Sequence, residues 1–176
     1  MKSAKSALPA LVLAPLAAGL PRLDPTRLGE MAQAAEAALL RQGESENTLR
    51  SYRSALRYWA AWFALRYGQP IALPVPETVV IQFIVDHAQR LDADGRPVNE
   101  LPAAVDRALV AEGFKGKPGS PALSTVVHRI AVLSKVHQLE EVANPCEQPR
   151  VRELLSKTRR GYAKRGALPR KKPALT

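Results

Sequence analysis

SENTLRSYRSALRYWAAWFALRYG, residues 45–68, carries the pattern that decides the fold class. At about 100° per residue, Leu49, Tyr52, Leu56, Trp59, Ala60 and Phe63 fall in one arc, which predicts an amphipathic helix with that stripe buried. Arg50, Arg53, Ser54 and Arg57 fall in a second arc, roughly a third of a turn away. Ser45 is a good N-cap and Glu46 suits the positive end of the helix dipole, while Gly68 and Pro70 end the helix. At 1.5 Å per residue, its roughly 22 residues span about 33 Å, a domain diameter. One face is thus shaped for a helical core, and the neighbouring face offers guanidinium forks and a hydroxyl to an anionic partner.

The rest of the composition agrees with that division. The chain has 176 residues, 46% of them hydrophobic, enough for one domain with a core that needs no disulfides. Its formal net charge of +10 points to a polyanion, with double-stranded DNA the leading candidate. From Arg150 to Thr176 ten basic residues stand against one acid, Glu153, so that stretch alone carries +9. Cys146 is the single cysteine, which excludes a disulfide framework and a thiolate metal cluster and fits a reducing cytoplasm. No metal or cofactor is expected, and no run approaches the roughly 18 apolar residues of a membrane span.

Outward from the central stretch, the chain reads as helices joined by proline-marked connections. Residues 1–24 pair Lys2 and Lys5 with the apolar run Leu8 to Leu20, like the start of a secretory signal, but Pro9, Pro15 and Pro21 favour a flexible arm. Asp24-Pro25 predicts the start of a first helix over Arg27 to Gln42, with Asp24 as cap. Its Met31, Ala34, Ala35, Ala38 and Leu39 form a small-residue face suited to another helix or another subunit, so assembly of protomers on DNA through this helix is an expectation. Glu77 to Leu91 predicts a third helix, with Val79, Val80, Phe83, Ile84 and His87 inward. Asp94-Gly95 marks a turn, Pro102 to Glu112 a short helix, and GFKGKPGS (Gly113–Ser120) a flexible loop that lacks the spacing of a phosphate-binding loop.

Ala122 to Leu139 predicts a long helix with Leu123, Val126, Val127, Ile130, Leu133 and His137 on its inner side. His137 reads as a satisfied core histidine. The other side carries Ser124, His128 and Lys135 in one arc and Thr125 and Arg129 in the next, a set suited to phosphates and base edges in a major groove. After Asn144-Pro145, Pro149 opens a last helix to about Arg165, with Val151, Leu154, Leu155, Thr158 and Tyr162 as its inner stripe. GALPRKKPALT then reads as a basic linker over 166–176.

Three segments in this order, SENTLRSYRSALRYWAAWF (Ser45–Phe63), ALSTVVHRIAVLSKVH (Ala122–His137) and NPCEQPRVRELLSKTRRGYAKRGALPRKKPALT (Asn144–Thr176), resemble the N-terminal core-binding domain of the tyrosine recombinases, or phage integrases, most closely the Cre-like ones. The resemblance implies an all-α, SAM-like bundle of four to five helices over residues 25–165, forming half of a clamp on duplex DNA. It implies DNA contacts from Thr48, Arg50, Ser51, Ser54 and Arg57, from Ser124, Thr125, His128 and Arg129, and from Arg159, Arg160, Lys164 and Arg165. Arg53 and Lys135 join them by their place on the same faces.

In that family catalysis belongs to a second domain with an arginine, a lysine, an H-x-x-R pair, a further His or Trp and a nucleophilic tyrosine, and the expectation is that this chain lacks that domain. His87-Ala-Gln-Arg90 spells H-x-x-R but lies on a helix of structural pattern, and Tyr52, Tyr58, Tyr67 and Tyr162 all fall in helices of the binding domain. The expectation is a non-enzymatic DNA-binding domain for integration and recombination. Two rivals are a stand-alone helical DNA-binding regulator and a basic adaptor for an acidic partner.

Overall fold

Tyr58, Trp59, Trp62 and Phe63 put four aromatic rings within two turns of one helix, and the core forms around them. The computed structural model describes residues 21–166, so the expected N-terminal arm falls largely outside it and the expected basic linker almost wholly so. Six α-helices run through the described residues: α1 (Glu30–Gly43), α2 (Glu46–Tyr67), α3 (Glu77–His87), α4 (Ala103–Ala111), α5 (Leu123–Leu139) and α6 (Pro149–Lys164). The only strands among them are β1 (Arg90–Leu91) and β2 (Pro97–Val98), an antiparallel pair, so the fold is all-α in character.

The chain divides into two compact units, one up to Ser45 and one from Glu46. In the first unit, α1 starts later than expected, at Glu30 with Gly29 as its N-cap. Asp24 caps a preceding turn instead, its carboxylate accepting from the Thr26 amide (2.9 Å) and hydroxyl (2.7 Å). These two bonds hold the Asp24 carboxyl below its usual range. None of the α1 residues is buried, and Met31 and Leu39 stand 90% and 70% exposed.

The second unit buries the aromatic cluster. Trp59 stacks on Phe83 of α3 with ring centroids 3.8 Å apart, and Trp62 meets Phe83 edge-on at 5.0 Å. The buried stripe of α2 is Ala55, Tyr58, Trp59, Trp62 and Phe63, while Leu49 is 38% exposed and Ala60 faces solvent. This is a rotation of the stripe expected from Leu49, and its cause is area: burying a second indole outweighs burying one leucine and one alanine. It also requires that each buried polar tip find a partner. The Trp62 indole donates to Asp86 (2.9 Å), whose carboxylate also takes Gln82 (2.8 Å) and pairs with Arg66. The Trp59 indole donates to the Arg129 carbonyl of α5 at 2.8 Å.

Tyr58 and His87 satisfy one another. A carbonyl can only accept, so His87 Nδ1 donates to the Phe83 carbonyl (2.7 Å), which leaves Nε2 to accept from the Tyr58 hydroxyl at 2.6 Å. Desolvation, with Arg129 and Lys115 also unfavourable, pushes the imidazole down to about 4. Burial raises the Tyr58 phenol well above its ordinary range. His137 is the core histidine expected of it, donating from Nδ1 to the Leu133 carbonyl (2.8 Å) and accepting the Val75 amide at Nε2 (2.9 Å).

α3 ends four residues earlier than expected. Ala88 is extended, and the chain turns through Asp92, whose side chain accepts from the amides of Asp94 and Arg96 at 2.9 Å, to pair β1 with β2. The H-x-x-R spacing therefore spans two elements, with His87 fully buried and Arg90 exposed on β1 and paired with Glu100. α5 buries Val132 besides the expected Leu123, Val126, Ile130, Leu133 and His137, with Val127 half-buried. Asn144 caps a short 3-10 turn, Pro145–Glu147, by accepting the Cys146 amide, and burial pushes the Cys146 thiol up to about 12. α6 packs on α3 through Val151 and Tyr162, both buried. At its C-terminal end the Tyr162 hydroxyl accepts the Gln89 amide (2.6 Å) and Arg165 donates to the Gln89 carbonyl (3.0 Å). Among the described residues no helix is long and apolar enough to cross a membrane.

The neutral His87 makes stability fall with acid. Its folded value of about 4 lies below the ordinary 6.5, so its contribution is complete above pH 6.5 and is lost as pH falls towards 4, by up to ~3 kcal/mol. Urea denaturation at pH 7, 6 and 5 should show this decline beginning above the carboxylate range, and His87→Gln, which cannot titrate, should flatten it.

Candidate nucleic-acid interface

Because α2 buries the side defined by Ala55, Tyr58 and Trp62, the residues at 50, 53, 54 and 57 are left outward, and all four are exposed. α5 is the helix packed most extensively along α2. Two hydrogen bonds tie the two, the Trp59 indole on the Arg129 carbonyl and, at the surface, the Ser51 hydroxyl 2.7 Å from His128 Nε2. The arginine face of α2 and the hydroxyl and imidazole face of α5 therefore meet edge to edge at Ser51 and His128. Ser124 is exposed, and Thr125 and Lys135 are half-buried on the same helix. Thr48, half-buried in the first turn of α2, precedes Arg50 on the chain.

At the N-terminal end of this surface, Glu46, Leu49, Arg50 and Arg53 line a shallow hollow of about 300 Å³. At the other end, the Arg57 guanidinium carbon lies 5.5 Å from the centre of the Phe114 ring, which belongs to the loop after α4. Between these ends the exposed groups are cations, hydroxyls and one imidazole, the donor set that phosphates and base edges accept.

Arg129 does not join this face as expected. Its guanidinium carbon lies over the Tyr58 ring, 3.5 Å from the centroid, and its Nη1 is buried without a hydrogen-bond partner. Desolvation pulls its pKa below the ordinary value. One residue beyond His128 the α5 surface has turned by about 100° towards α2, so position 129 meets the Tyr58–Trp59 edge and is half-buried there. Both its backbone carbonyl and its side chain are held there, by Trp59 and Tyr58 respectively.

The basic residues at the end of the chain occupy a different element. Arg159, Arg160 and Lys164 are exposed on α6, which packs on α3 and the 3-10 turn, and Arg165 folds back over Tyr162 to reach Gln89. Between α3 and α6 lies a groove of about 500 Å³ floored by Ile84, Val85, Ala88 and Leu154. Sequence reasoning missed Phe114 beside Arg57 and the anchoring of the loop that carries it, because no periodic pattern marks a loop that is tied down by side chains.

The structural place of Arg129 predicts a contrast in stability. Arg129→Ala removes the stack on Tyr58 and should cost about 2 kcal/mol, whereas Arg50→Ala and Arg53→Ala, on the open face, should stay within about 0.5 kcal/mol, read by urea denaturation at pH 7. Neither the protein-family models nor the curated proteins include one that matches this chain.

Proposed function

We propose that this chain binds double-stranded DNA through the joined faces of α2 and α5, as the SAM-like core-binding domain of a site-specific tyrosine recombinase. The observation that carries the reading is the Ser51–His128 contact. It unites two faces, each polar or basic on its own, into one surface on which Arg50, Arg53, Ser54 and Arg57 lie beside Ser124, Thr125 and His128. Affinity in this reading comes mainly from phosphate neutralisation by the arginines, and sequence preference from hydroxyls and the imidazole at the junction. Arg159, Arg160 and Lys164 on α6 add backbone contacts from a third element.

A binding role rather than a cutting one is supported by the state of two of the tyrosines. The Tyr58 hydroxyl is spent on His87 and the Tyr162 hydroxyl on the Gln89 amide, so neither is presented to a phosphate. The pairing of α1 with a second protomer on DNA belongs to the same proposal, its apolar face being exposed in the first unit.

Fluorescence anisotropy with a random duplex and with an inverted-repeat duplex, across a salt series, tests this. The chain should bind with a log–log slope of several units and prefer the repeat. Arg50→Ala and Arg57→Ala should each reduce the slope by about one and weaken binding about fivefold near 0.15 M salt. Unchanged slope and affinity for both variants would remove α2 from the interface. Binding that survives both but vanishes when residues 150–176 are deleted would favour an adaptor that uses its basic end.

A further inference from the structure

The loop Gly113–Ser120, GFKGKPGS, is tied down along its length. The Phe114 and Lys115 amides both donate to the Leu109 carbonyl, at 2.9 and 3.0 Å, and close the loop onto the end of α4. The Lys115 side chain is buried, and its ammonium donates to the Asp106 carboxylate and to the Gly119 carbonyl (2.6 Å). The Gly119 amide returns a bond to the other oxygen of Asp106 at 2.8 Å, so that Asp106 ties residue 115 to residue 119. At the far end the Ser120 hydroxyl accepts from Asn99 (2.7 Å). Gly113 and Gly119 have φ of +79° and +98°, a backbone that a side chain would strain, so the path of the loop depends on glycine at both positions.

Burying an ammonium and a carboxylate costs desolvation that their attraction barely offsets, so such a pair fixes a conformation more than it adds stability. The conformation it fixes has two consequences. Phe114 is set against Arg57, which attaches the loop to the basic end of the α2 face. Asp106 neutralises Lys115, so the exposed charge of the loop is that of Lys117. Lys117 sits between Gly116 and Gly119, and nothing lies within 4 Å of where a Cβ would stand at either glycine. The loop therefore offers one cation on an open ribbon that another backbone can approach closely, with no large apolar side chain exposed between Gly116 and Gly119 to suit a protein partner.

We propose that the 113–120 loop is a preformed phosphate-backbone contact of the duplex, with Lys117 as its cation, extending the arginine face of α2 past Arg57. This rests on the DNA-binding reading above and adds a fourth element to it. A single phosphate contact without base contacts contributes affinity but no sequence preference.

The test is anisotropy of the full chain with two unrelated 30-bp duplexes across a salt series, using Lys117→Ala, Lys117→Arg and Arg57→Ala. Lys117→Ala should lower the slope by about one unit and weaken binding about fivefold near 0.15 M salt, equally for both duplexes, and Lys117→Arg should restore both. Wild-type slope and affinity in Lys117→Ala, with losses in Arg57→Ala, would overturn the loop contact while leaving the helical interface in place. A loss for one duplex alone would also overturn it, since a backbone contact does not read sequence. If the wild-type chain binds neither duplex, the DNA reading itself fails, and the loop contact with it.

Discussion

Trp59 is the side chain on which the rest of the second unit depends. Its ring stacks on Phe83 and so fixes α3 against α2, and its indole N–H holds the Arg129 carbonyl and so fixes α5 against α2. A single residue thus sets the relative position of three helices, one by dispersion and one by a directed bond. The surface consequences follow from that position. With α5 held at Arg129, the preceding residue reaches Ser51 and the next turn back presents Thr125 and Ser124. The polar junction on the outside is a projection of the aromatic cluster inside.

Helix existence and the inner sides of α3, α5 and α6 were legible in the sequence because each has a long run of aliphatic residues at helical spacing. Periodicity places the inner side of α2 a fraction of a turn away from where it lies. Periodicity weighs Leu49 and Trp62 alike, whereas burial weighs them by area and by whether their polar atoms can be satisfied, and the partners of Trp62 and Tyr58 lie on another helix. The start of α1 and the end of α3 were misplaced for a related reason. Asp24 is a competent cap wherever its chain turns, and nothing local to Ala88–Leu91 says that β2 will pair with it.

The outward arginines were legible, since Arg50, Arg53 and Arg57, with Ser54, fall in one arc directly from their spacing. Arg129 was not, because a cation can leave the surface when an aromatic face and a second helix replace water, and neither is visible from α5 alone. The glycines of the 113–120 loop predict a flexible segment. Glycine permits a path, and the Lys115–Asp106 tie selects one.

The end of α6 is fastened in an asymmetric way. Tyr162 and Arg165 take the amide and the carbonyl of the same residue, Gln89, so one partner contributes chemistry and the other only its peptide group. Side-chain identity at position 89 is therefore free of this joint, and any residue but proline can occupy it without loosening the attachment. Drift in sequence at that position is silent for the joint, while at 162 and 165 it is not. Such a joint tolerates change on one side only, which leaves the rim of the α3–α6 groove, where Gln89 sits, open to variation independently of the helix packing beneath it.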